Sequence, residues 1–376
     1  MKKKIIIVVG TRSEIIKFSS LIRELKKDGF FEIKILDSGQ TYTGSFMREL
    51  KLPEPDIRLG KSLRERWSKS RKLASSFYAV VWLCKIFFGM RKAFVDEEPD
   101  AIFYQGNCMS VPVAVFASKT VLKKTALIHR ESGIRTHNIF EPFLGELSEK
   151  VGDYFGDILF APSKSAENNL KNENIRGKIF LVGDPQVEIV DYVLKNIKPQ
   201  RERITGEYVV VNVLHFENVA DKNKMQNLIE ILQKSPLKVV FPMSKSVKGR
   251  LELFGLLNML KKSENILLSE PYNYADFLNL VKNASAVLTD SGGVQQESLI
   301  LKVPCIFLGK ENVWEEFESR GIIKSTHFDV GKTLGLLAEI KNHGDFYKKV
   351  KSTRYPIGDG RATQRMVAVL KGELGA

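Results

Sequence analysis

A glycine-rich segment in the second half of the chain, Thr289-Asp290-Ser291-Gly292-Gly293-Val294-Gln295-Gln296-Glu297-Ser298, carries the strongest chemical signal. It directly follows a predicted strand, Ala286–Leu288, and begins a helix. Ser291 can cap that helix, while Gly292 and Gly293 expose backbone N–H groups at its positive end, which suits a diphosphate group. Glu297 lies about two turns further on, where an acidic residue can accept hydrogen bonds from ribose hydroxyl groups. The alternative is a simple glycine turn followed by a surface glutamate.

A second turn of this kind follows the first predicted strand, at Gly10-Thr11-Arg12-Ser13-Glu14-Ile15-Ile16-Lys17. A glycine at such a turn lets a ligand approach the backbone. The helix N-terminus and Arg12 then favour anionic oxygen. Taken alone, the pattern fits equally well a turn that only connects a strand to a helix.

Acid–base groups gather in the loop His129-Arg130-Glu131-Ser132-Gly133-Ile134-Arg135-Thr136-His137, after the predicted strand Thr125–Ile128. Glu131 can transfer a proton if burial raises its pKa, but a glutamate between two arginines is more often a satisfied ion pair. His215 ends another predicted strand, within Leu214-His215-Phe216-Glu217-Asn218. It can contact phosphate or titrate near neutrality, although a single histidine at this place is usually structural.

The elements that must position these loops alternate along the whole chain. Short β-branched runs separated by helical patterns predict parallel strands that are covered on both faces. In the first half the runs are Lys4–Val9, Phe31–Asp37, Ala101–Tyr104, Thr125–Ile128, Ile158–Ala161 and Ile179–Val182. In the second half they are Tyr208–Val213, Lys238–Phe241, Asn265–Leu268, Ala286–Leu288 and Pro304–Leu308.

A polar, proline-containing stretch near residue 195 separates the two series of strands. The sequence therefore predicts an α/β fold with two doubly wound, Rossmann-like domains, residues 1–190 and 200–376. The last helix can return to the first domain. The ligand is expected in an inter-domain cleft that faces the carboxyl ends of both sheets.

Composition narrows the functional classes. Lysines and arginines (58) outnumber aspartates and glutamates (44), giving a formal net charge of +14, which suits a polyanionic ligand, an anionic membrane surface or nucleic acid. Nucleic acid is disfavoured because neither zinc-finger spacing nor an aromatic-basic signature is present. Three widely spaced cysteines argue against disulfides, and no metal is implied because Asp, His and Cys never gather at ligand spacing. No window has the roughly 18 uninterrupted apolar residues of a spanning helix, so we expect a cytoplasmic protein.

Residues 58–92 depart from the alternating pattern. One acid, Glu65, stands there against ten basic residues: Arg58, Lys61, Arg64, Arg66, Lys69, Arg71, Lys72, Lys85, Arg91 and Lys92. The apolar segment Phe77–Phe88 lies in the middle. A basic, aromatic stretch can dock on anionic lipid, so membrane association is one expectation. The alternative is an ordinary amphipathic helix after a solvated loop.

These segments, taken in order, resemble motifs of the non-hydrolysing UDP-N-acetylglucosamine 2-epimerase family, whose fold is that of two-domain GT-B glycosyltransferases. In the first half, Gly10–Lys17 resembles G-T-R-P-E-x-I-K, Ser38–Gln40 resembles T-G-Q, Gln105–Asn107 resembles H/Q-G-D and Glu131–Thr136 resembles E-A-G-L-R-T. In the second half, Glu270–Tyr274 resembles E-P-L-x-Y, Thr289–Glu297 resembles T-D-S-G-G-I-Q-E-E and Gly358–Ala362 resembles G-D-G-x-A.

The resemblance implies a reaction that inverts C2 of a UDP-sugar. UDP is eliminated across C1–C2 to give a glycal and is then added back, with the proton returned to the other face. By the resemblance, Glu131 is one catalytic carboxylate, and Glu146 or His215 shares the proton transfer. The residues implied to bind substrate are Arg12, Lys17, Gln40, Asn107, Arg135, Ser291, Gly292, Gly293, Gln295 and Glu297. No cofactor is implied.

The chain departs from the family pattern at several positions near the reacting end. Asn107 stands where the family carries a catalytic Asp, and an amide cannot accept and release a proton at neutral pH. The family's P-E-E-x-N-R segment, aligned without a gap, has Gly145 at its first Glu, whereas a one-residue shift would place Glu146 there. The family's strand-end H-R-x-E-N reads Leu214-His215-Phe216-Glu217-Asn218, so His215 either keeps the histidine role through a deletion or replaces the arginine. Ser244 stands where the family has a second histidine at a strand end.

Three hypotheses follow. The first is an NDP-sugar 2-epimerase that acts on UDP-N-acetylglucosamine or a related UDP-sugar. The second is a GT-B glycosyltransferase with a UDP-sugar donor, whose basic residues 58–92 would meet a lipid-linked or otherwise anionic acceptor. The third is a catalytically inactive nucleotide-sugar binder. A homodimer is compatible with each of them, because similar proteins commonly dimerise.

Overall fold

The computed structural model describes residues 2–41, 44–60, 72–122, 124–138 and 145–375, with residues 72–79 described by their backbone alone. The chain forms two compact units. Unit 1 consists of Met1–Ile189 together with Ile357–Ala376, and unit 2 consists of Val190–Pro356. Lys61, Arg64, Arg66, Lys69 and Arg71 of the basic stretch lie outside the described residues.

Unit 1 is built on a parallel sheet of seven strands. They are β1 (Lys3–Val9), β2 (Phe31–Asp37), β3 (Ile57–Arg58), β4 (Ala101–Gln105), β5 (Ala126–Arg130), β6 (Ile158–Ala161) and β7 (Lys178–Leu181). Their spatial order is β3-β2-β1-β4-β5-β6-β7, so the direction of winding reverses between β1 and β4. Ligands of doubly wound sheets bind at the carboxyl end of such a reversal.

Helices connect the strands of this sheet, as crossovers between parallel strands require. They are α1 (Arg12–Lys27), α2 (Gly44–Glu49), α3 (Lys72–Glu97), α4 (Ser110–Val121), α5 (Gly145–Phe155) and α6 (Lys164–Asn172). The helix α7 (Gln186–Asn196) follows β7 and carries the chain from unit 1 into unit 2. The central strand is buried on both faces, since every residue from Ile5 to Val9 is 0% exposed. That burial explains why β1 is continuously apolar in sequence.

Unit 2 repeats the same design with six parallel strands. They are β8 (Tyr208–Asn212), β9 (Lys238–Pro242), β10 (Ile266–Ser269), β11 (Ala286–Thr289), β12 (Cys305–Phe307) and β13 (Ile323–Ser325), in the spatial order β10-β9-β8-β11-β12-β13. The helices are α8 (Phe216–Val219), α9 (Lys222–Lys234), α10 (Lys245–Leu253), α11 (Leu257–Lys261), α12 (Tyr274–Lys282), α13 (Gly292–Ile300), α14 (Glu315–Ser319), α15 (Val330–Lys341) and α16 (Asp345–Ser352). Here the winding reverses between β8 and β11.

The last helix, α17 (Ala362–Gly375), belongs to unit 1. It packs on α1, where the hydroxyl of Thr363 donates to the hydroxyl of Ser20 at 3.1 Å. The backbone N–H of Thr363 donates to Glu188 Oε1 at 2.8 Å. The chain thus leaves unit 1, forms all of unit 2 and returns.

Among the described residues, no helix has both the length and the apolar character required to cross a membrane.

Candidate active site

Three loops of unit 1 carry the polar residues at the reversal of its sheet. They follow β1, β4 and β5, and each begins where its strand ends. Thr11 opens α1 with a capping box, in which its side chain accepts from the N–H of Glu14 while the Glu14 side chain accepts from the N–H of Thr11. This cap fixes the first turns of α1, the helix that carries Lys17.

Glu131 lies at the centre of this site and is 3% exposed. Its backbone has a φ of 62°, a left-handed conformation that is uncommon for a residue with a side chain and is found preferentially at functional sites. Lys17 Nζ donates to Glu131 Oε2 at 2.6 Å, and Gln105 Nε2 donates to the same oxygen at 3.2 Å. Arg130 Nη1 lies 4.0 Å from Glu131 Oε1.

These cations decide the charge of Glu131. Burial alone would raise its pKa, but the charges of Lys17 and Arg130 outweigh burial and lower the pKa below its ordinary value. From the sequence, burial was considered to raise the pKa of Glu131, whereas in the structure this pKa is lowered. Glu131 is therefore an ionised carboxylate, which is a proton acceptor and not a proton donor at neutral pH.

A second buried cluster lies beside Glu131, where β5 faces α5. His129 Nδ1 lies 2.7 Å from Asp153 Oδ1, and His129 Nε2 lies 3.6 Å from Glu149 Oε2. Glu149 and Asp153 are four residues apart on α5, so both point to the same side of the helix. His129 begins the loop in which acid–base groups were expected, whereas Glu149 and Asp153 were not predicted from the sequence. The acidic pair at helical spacing was a usable signal, but its histidine partner is distant in sequence.

The three side chains could also be considered as metal ligands, since one atom of each lies within 4.8 Å of the others. The spacing argument from sequence did not anticipate this grouping. Asp153 is already engaged, however, because Oδ2 lies 2.8 Å from Arg135 Nη2 and accepts from the N–H of Gly133 at 3.1 Å. We therefore assign the cluster to hydrogen bonding and derive no chemistry through a metal.

Arg135 and Glu146, two predicted site residues, are bound within unit 1. Arg135 donates to both carboxylate oxygens of Glu173, at 2.9 and 2.6 Å, in addition to its contact with Asp153. Glu146 Oε2 accepts from the backbone N–H and the hydroxyl of Thr136. Burial would raise the pKa of Glu146, but these hydrogen bonds and Lys150 lower it. Both residues hold the loop after β5 in place, and these contacts do not support their direct action on a substrate.

Three further predicted residues surround the same reversal point. Arg12 lies over the ring of Phe46, with 4.5 Å from the guanidinium carbon to the ring centroid. The buried Oε1 of Gln40 has no hydrogen-bond partner among the described residues. Asn107 is exposed and follows Gly106, whose φ is +70°. Of the predicted residues, Lys17 contacts Glu131 directly, whereas Gln40 and Asn107 lie in the loops after β2 and β4.

In unit 2, Asp290 organises the corresponding reversal. Its carboxylate accepts from the backbone N–H groups of Leu214 and His215, at 2.9 and 3.0 Å, and from the side chain of Asn218 at 3.0 Å. His215 Nδ1 lies 3.3 Å from Glu217 Oε1. Burial would lower the pKa of His215, but Glu217 and the charge of Asp290 outweigh it and raise the pKa. His215 is therefore biased towards its cationic form.

The glycine-rich turn follows β11 directly and opens α13. Ser291 is the N-cap residue, but its side chain makes no capping hydrogen bond, so the prediction that it caps the helix is wrong. The first N–H groups of a helix have no partner within the helix, and without a side-chain cap they remain available to an anion. Trp314 Nε1 donates to the carbonyl of Gly292 at 3.1 Å and holds the turn. A Cβ on Gly293 would lie 3.9 Å from Ser291 Oγ, so both face the open side of the turn.

Gln295 and Glu297 lie on α13 behind this turn. Gln295 is 0% exposed, and neither its side-chain nitrogen nor its oxygen has a hydrogen-bond partner among the described residues. An unsatisfied buried amide costs about 1–3 kcal/mol, which a polar ligand can offset. Glu297 is 6% exposed on the same helix.

Each doubly wound unit, with its polar loops at the reversal of a parallel sheet, is of the kind found in GT-B enzymes. A sequence model of the UDP-N-acetylglucosamine 2-epimerase family matches residues 23–371. The chain therefore belongs to the UDP-N-acetylglucosamine 2-epimerase family.

Relatives cover nearly the whole chain. The UDP-N-acetylglucosamine 2-epimerase of Methanocaldococcus jannaschii is 32% identical over 98% of this chain and 98% of the relative. The enzyme of the same description from Bacillus subtilis is 28% identical over 98% of this chain and 96% of the relative. A crystal structure of the M. jannaschii enzyme in complex with UDP-GlcNAc and UDP superposes with a TM-score of 0.84, at 29% identity, over 98% of this chain and 99% of the other.

Proposed function

We propose that this protein inverts C2 of UDP-N-acetylglucosamine, or of a closely related UDP-sugar, by eliminating UDP and adding it back. The family assignment supports an epimerase. The bound UDP-GlcNAc and UDP in the similar M. jannaschii enzyme support this substrate class. The glycosyltransferase and the inactive binder are not favoured by these comparisons.

The observation that carries the proposal is the ionised, buried carboxylate of Glu131 beside Lys17. Epimerisation requires a base that removes the C2 proton, and a carboxylate held next to a lysine is charged and can accept that proton. As the proton leaves, the C–H electron pair forms the C1–C2 double bond. The C1–O bond breaks at the same time, and its electron pair leaves with UDP.

We assign binding of the leaving diphosphate to the turn at Ser291, Gly292 and Gly293. The uncapped start of α13 supplies N–H donors and the positive end of the helix dipole to the charge that develops on the leaving group. Gln295 has unused donor and acceptor capacity directly behind that turn. Glu297 is proposed to bind the ribose.

The test is incubation of the purified protein with UDP-N-acetylglucosamine in deuterium oxide, followed by NMR of the sugar. We expect deuterium at C2 and a second UDP-sugar with the manno configuration. The absence of both, in a sample that binds UDP by calorimetry, would reject the proposal.

Association with an anionic membrane and formation of a homodimer stay predictions. On α3, Phe88 is 64% exposed, and Lys85, Arg91 and Lys92 are exposed near it, which suits an anionic lipid surface. Co-sedimentation with vesicles of phosphatidylcholine alone and with added phosphatidylglycerol tests the first prediction. Sedimentation equilibrium tests the second.

A further inference from the structure

We propose that Glu149 is the second acid–base residue of this site, and that it exchanges a proton with C2 from the side opposite to Glu131. The inference rests on the proposed epimerase function and names a group that the family motif does not supply. It assigns to Glu149 the role that Asn107 cannot perform.

The position of Gly106 shows that two carboxyl groups border one space. A Cβ on Gly106 would lie 3.9 Å from Glu131 Oε2 and 4.0 Å from Glu149 Oε1. Gly106 has a φ of +70°, a conformation that favours glycine, and it therefore leaves this space unfilled. The two oxygens approach the space from different elements, the loop after β5 and the helix α5.

Compared with the family motifs, this sequence has an additional carboxyl group at Glu149 and lacks one at Asn107. The ungapped alignment that puts Gly145 at the first Glu of P-E-E-x-N-R puts Glu149 at its arginine. Asn107, at the position of the family's Asp, follows Gly106 directly. One departure thus adds a carboxyl group that borders the space beside Gly106, and the other removes a carboxyl group at the next residue in the chain.

His129 and Asp153 lie next to the buried carboxyl group of Glu149. Burial would raise the pKa of Asp153, but His129 and Arg135 outweigh burial and lower it, so Asp153 is ionised and accepts the Nδ1 proton of His129. Nε2 of His129 lies 3.6 Å from Glu149 Oε2. Oε2 has no hydrogen-bond partner among the described residues.

Charged groups on every neighbouring element act on Glu149, and burial outweighs them. Burial raises its pKa well above the ordinary value, the charges of Asp153 and Glu131 raise it further, and those of Arg135 and Lys17 oppose the shift. Burial thus favours the protonated form of Glu149, whereas the neighbouring cations favour the ionised form of Glu131. A pair of carboxyl groups whose pKa values are pushed apart is the arrangement that divides acid and base roles.

The steps balance with these two groups alone. Glu131 takes the C2 proton, the C–H pair forms the C1–C2 double bond, and UDP leaves with the electron pair of the C1–O bond. In the return step the double-bond pair takes the proton of Glu149 on the other face of C2, and a phosphate oxygen of UDP reforms the bond to C1. Glu131 is then protonated and Glu149 ionised, and exchange with solvent restores both.

The decisive experiment compares Glu149→Gln with the wild type in deuterium oxide. Without a donor on the second face, Glu131 can only remove and restore the proton on its own side. We expect UDP-N-acetylglucosamine to gain C2 deuterium with retained configuration, while epimerisation falls by about 10²–10⁴-fold, the usual contribution of one acid–base group. Glu167→Gln, a surface substitution on α6 that removes ion pairs to Lys164 and Lys171, is the matched control and should epimerise normally.

Two results would overturn the inference while leaving the epimerase function intact. One is wild-type epimerisation by Glu149→Gln. The other is a folded Glu149→Gln protein that loses exchange and epimerisation equally, because Glu149 would then only support Glu131. If the wild type shows neither activity, the proposed function itself fails.

The wild-type pH profile provides a measurement that does not depend on how the variant folds. As pH rises through the elevated pKa of Glu149, the donor is lost while Glu131 stays ionised. The ratio of epimerisation to C2 exchange should therefore fall on the alkaline side. A ratio that is constant over the whole range in which the protein remains folded contradicts the inference.

Discussion

Units 1 and 2 share one strand order but differ in what they place at its reversal. The reversal in unit 1 is crowded with buried charges, including Lys17, Arg130 and Glu131. In unit 2 the carboxylate of Asp290 accepts from backbone N–H groups and from Asn218, beside a helix start that has no side-chain cap. The same scaffold therefore holds buried charge pairs in unit 1 and backbone N–H donors at an uncapped helix start in unit 2.

This difference separates two tasks of the proposed reaction. Buried charge pairs shift pKa values and so serve proton transfer, while a helix start and glycine backbone bind an anion without titrating. The comparison predicts that variants in unit 1 will change chemistry and variants in unit 2 will change nucleotide affinity. The following experiments are ordered from the largest expected effect to the smallest.

Glu131→Gln should remove the base and lower both C2 exchange and epimerisation by about 10²–10⁴-fold. UDP affinity measured by calorimetry should stay within about twofold of the wild-type value, because the groups proposed to bind the diphosphate lie in unit 2 and are unchanged. A tenfold loss of UDP affinity in this variant would contradict the assignment of proton transfer to unit 1 and of nucleotide binding to unit 2.

Gly133→Ala in unit 1 should destabilise the protein far more than a glycine-to-alanine substitution in an open loop. Gly133 has a φ of +81°, and an added Cβ would lie 2.1 Å from the carbonyl oxygen of Ala166, so we expect a loss of about 3–5 kcal/mol in the free energy of unfolding. Gly206→Ala in unit 2 is the control, because its φ is +85° but no atom lies within 4 Å of the added Cβ. Only the strain of about 1–2 kcal/mol should remain there. Urea unfolding of both variants measures the difference, and equal losses would contradict the packing argument.

Ser291→Ala should weaken UDP binding by about 10- to 150-fold, because one hydrogen bond to a charged group contributes about 1.5–3 kcal/mol. Its C2 exchange rate at saturating substrate should equal that of the wild type. Calorimetry and NMR exchange measure the two quantities separately. If the C2 exchange rate at saturating substrate changed while UDP affinity did not, Ser291 would take part in the chemical step. The proposed division between chemistry in unit 1 and nucleotide binding in unit 2 would then be wrong.

Glu217→Gln should lower the pKa of His215, because the hydrogen bond to Glu217 is the largest of the effects that raise it. The raised pKa means that His215 stabilises the folded state below its unfolded pKa, and that this contribution is lost as pH rises through the folded value. The effect on stability is small, since the His215 side chain is 38% exposed. NMR titration of the imidazole measures the shift, and an unchanged pKa would show that Asp290 alone sets it.

Much of the fold was predictable from sequence because its strands are buried on both faces. Phe31–Asp37 and Ile158–Ala161 were predicted with the bounds that the structure has. The strands β3 and β13 were missed, since runs of two and three residues carry no readable pattern. Local rules thus identify long central strands and miss short edge strands.

The candidate site was only partly predictable. Motif spacing singled out Glu131 and Lys17, but the lowered pKa of Glu131 depends on an ion pair that spans 114 residues of sequence. Glu149 on α5 and His129 on β5, 20 residues apart in sequence, come within 3.6 Å of each other only when α5 packs on β5. Such contacts become visible only once the chain has folded.

The return of α17 to unit 1 has a consequence for biosynthesis. The contact between Ser20 and Thr363 joins residues 343 positions apart, so a ribosome must translate all of unit 2 before this helix can dock. During that interval the surface of α1 that receives it stays uncovered in the nascent protein, while Val190–Pro356 can already acquire its own core. A pause late in elongation, or a chaperone that acts at that stage, will therefore affect the folding of unit 1 more than that of unit 2.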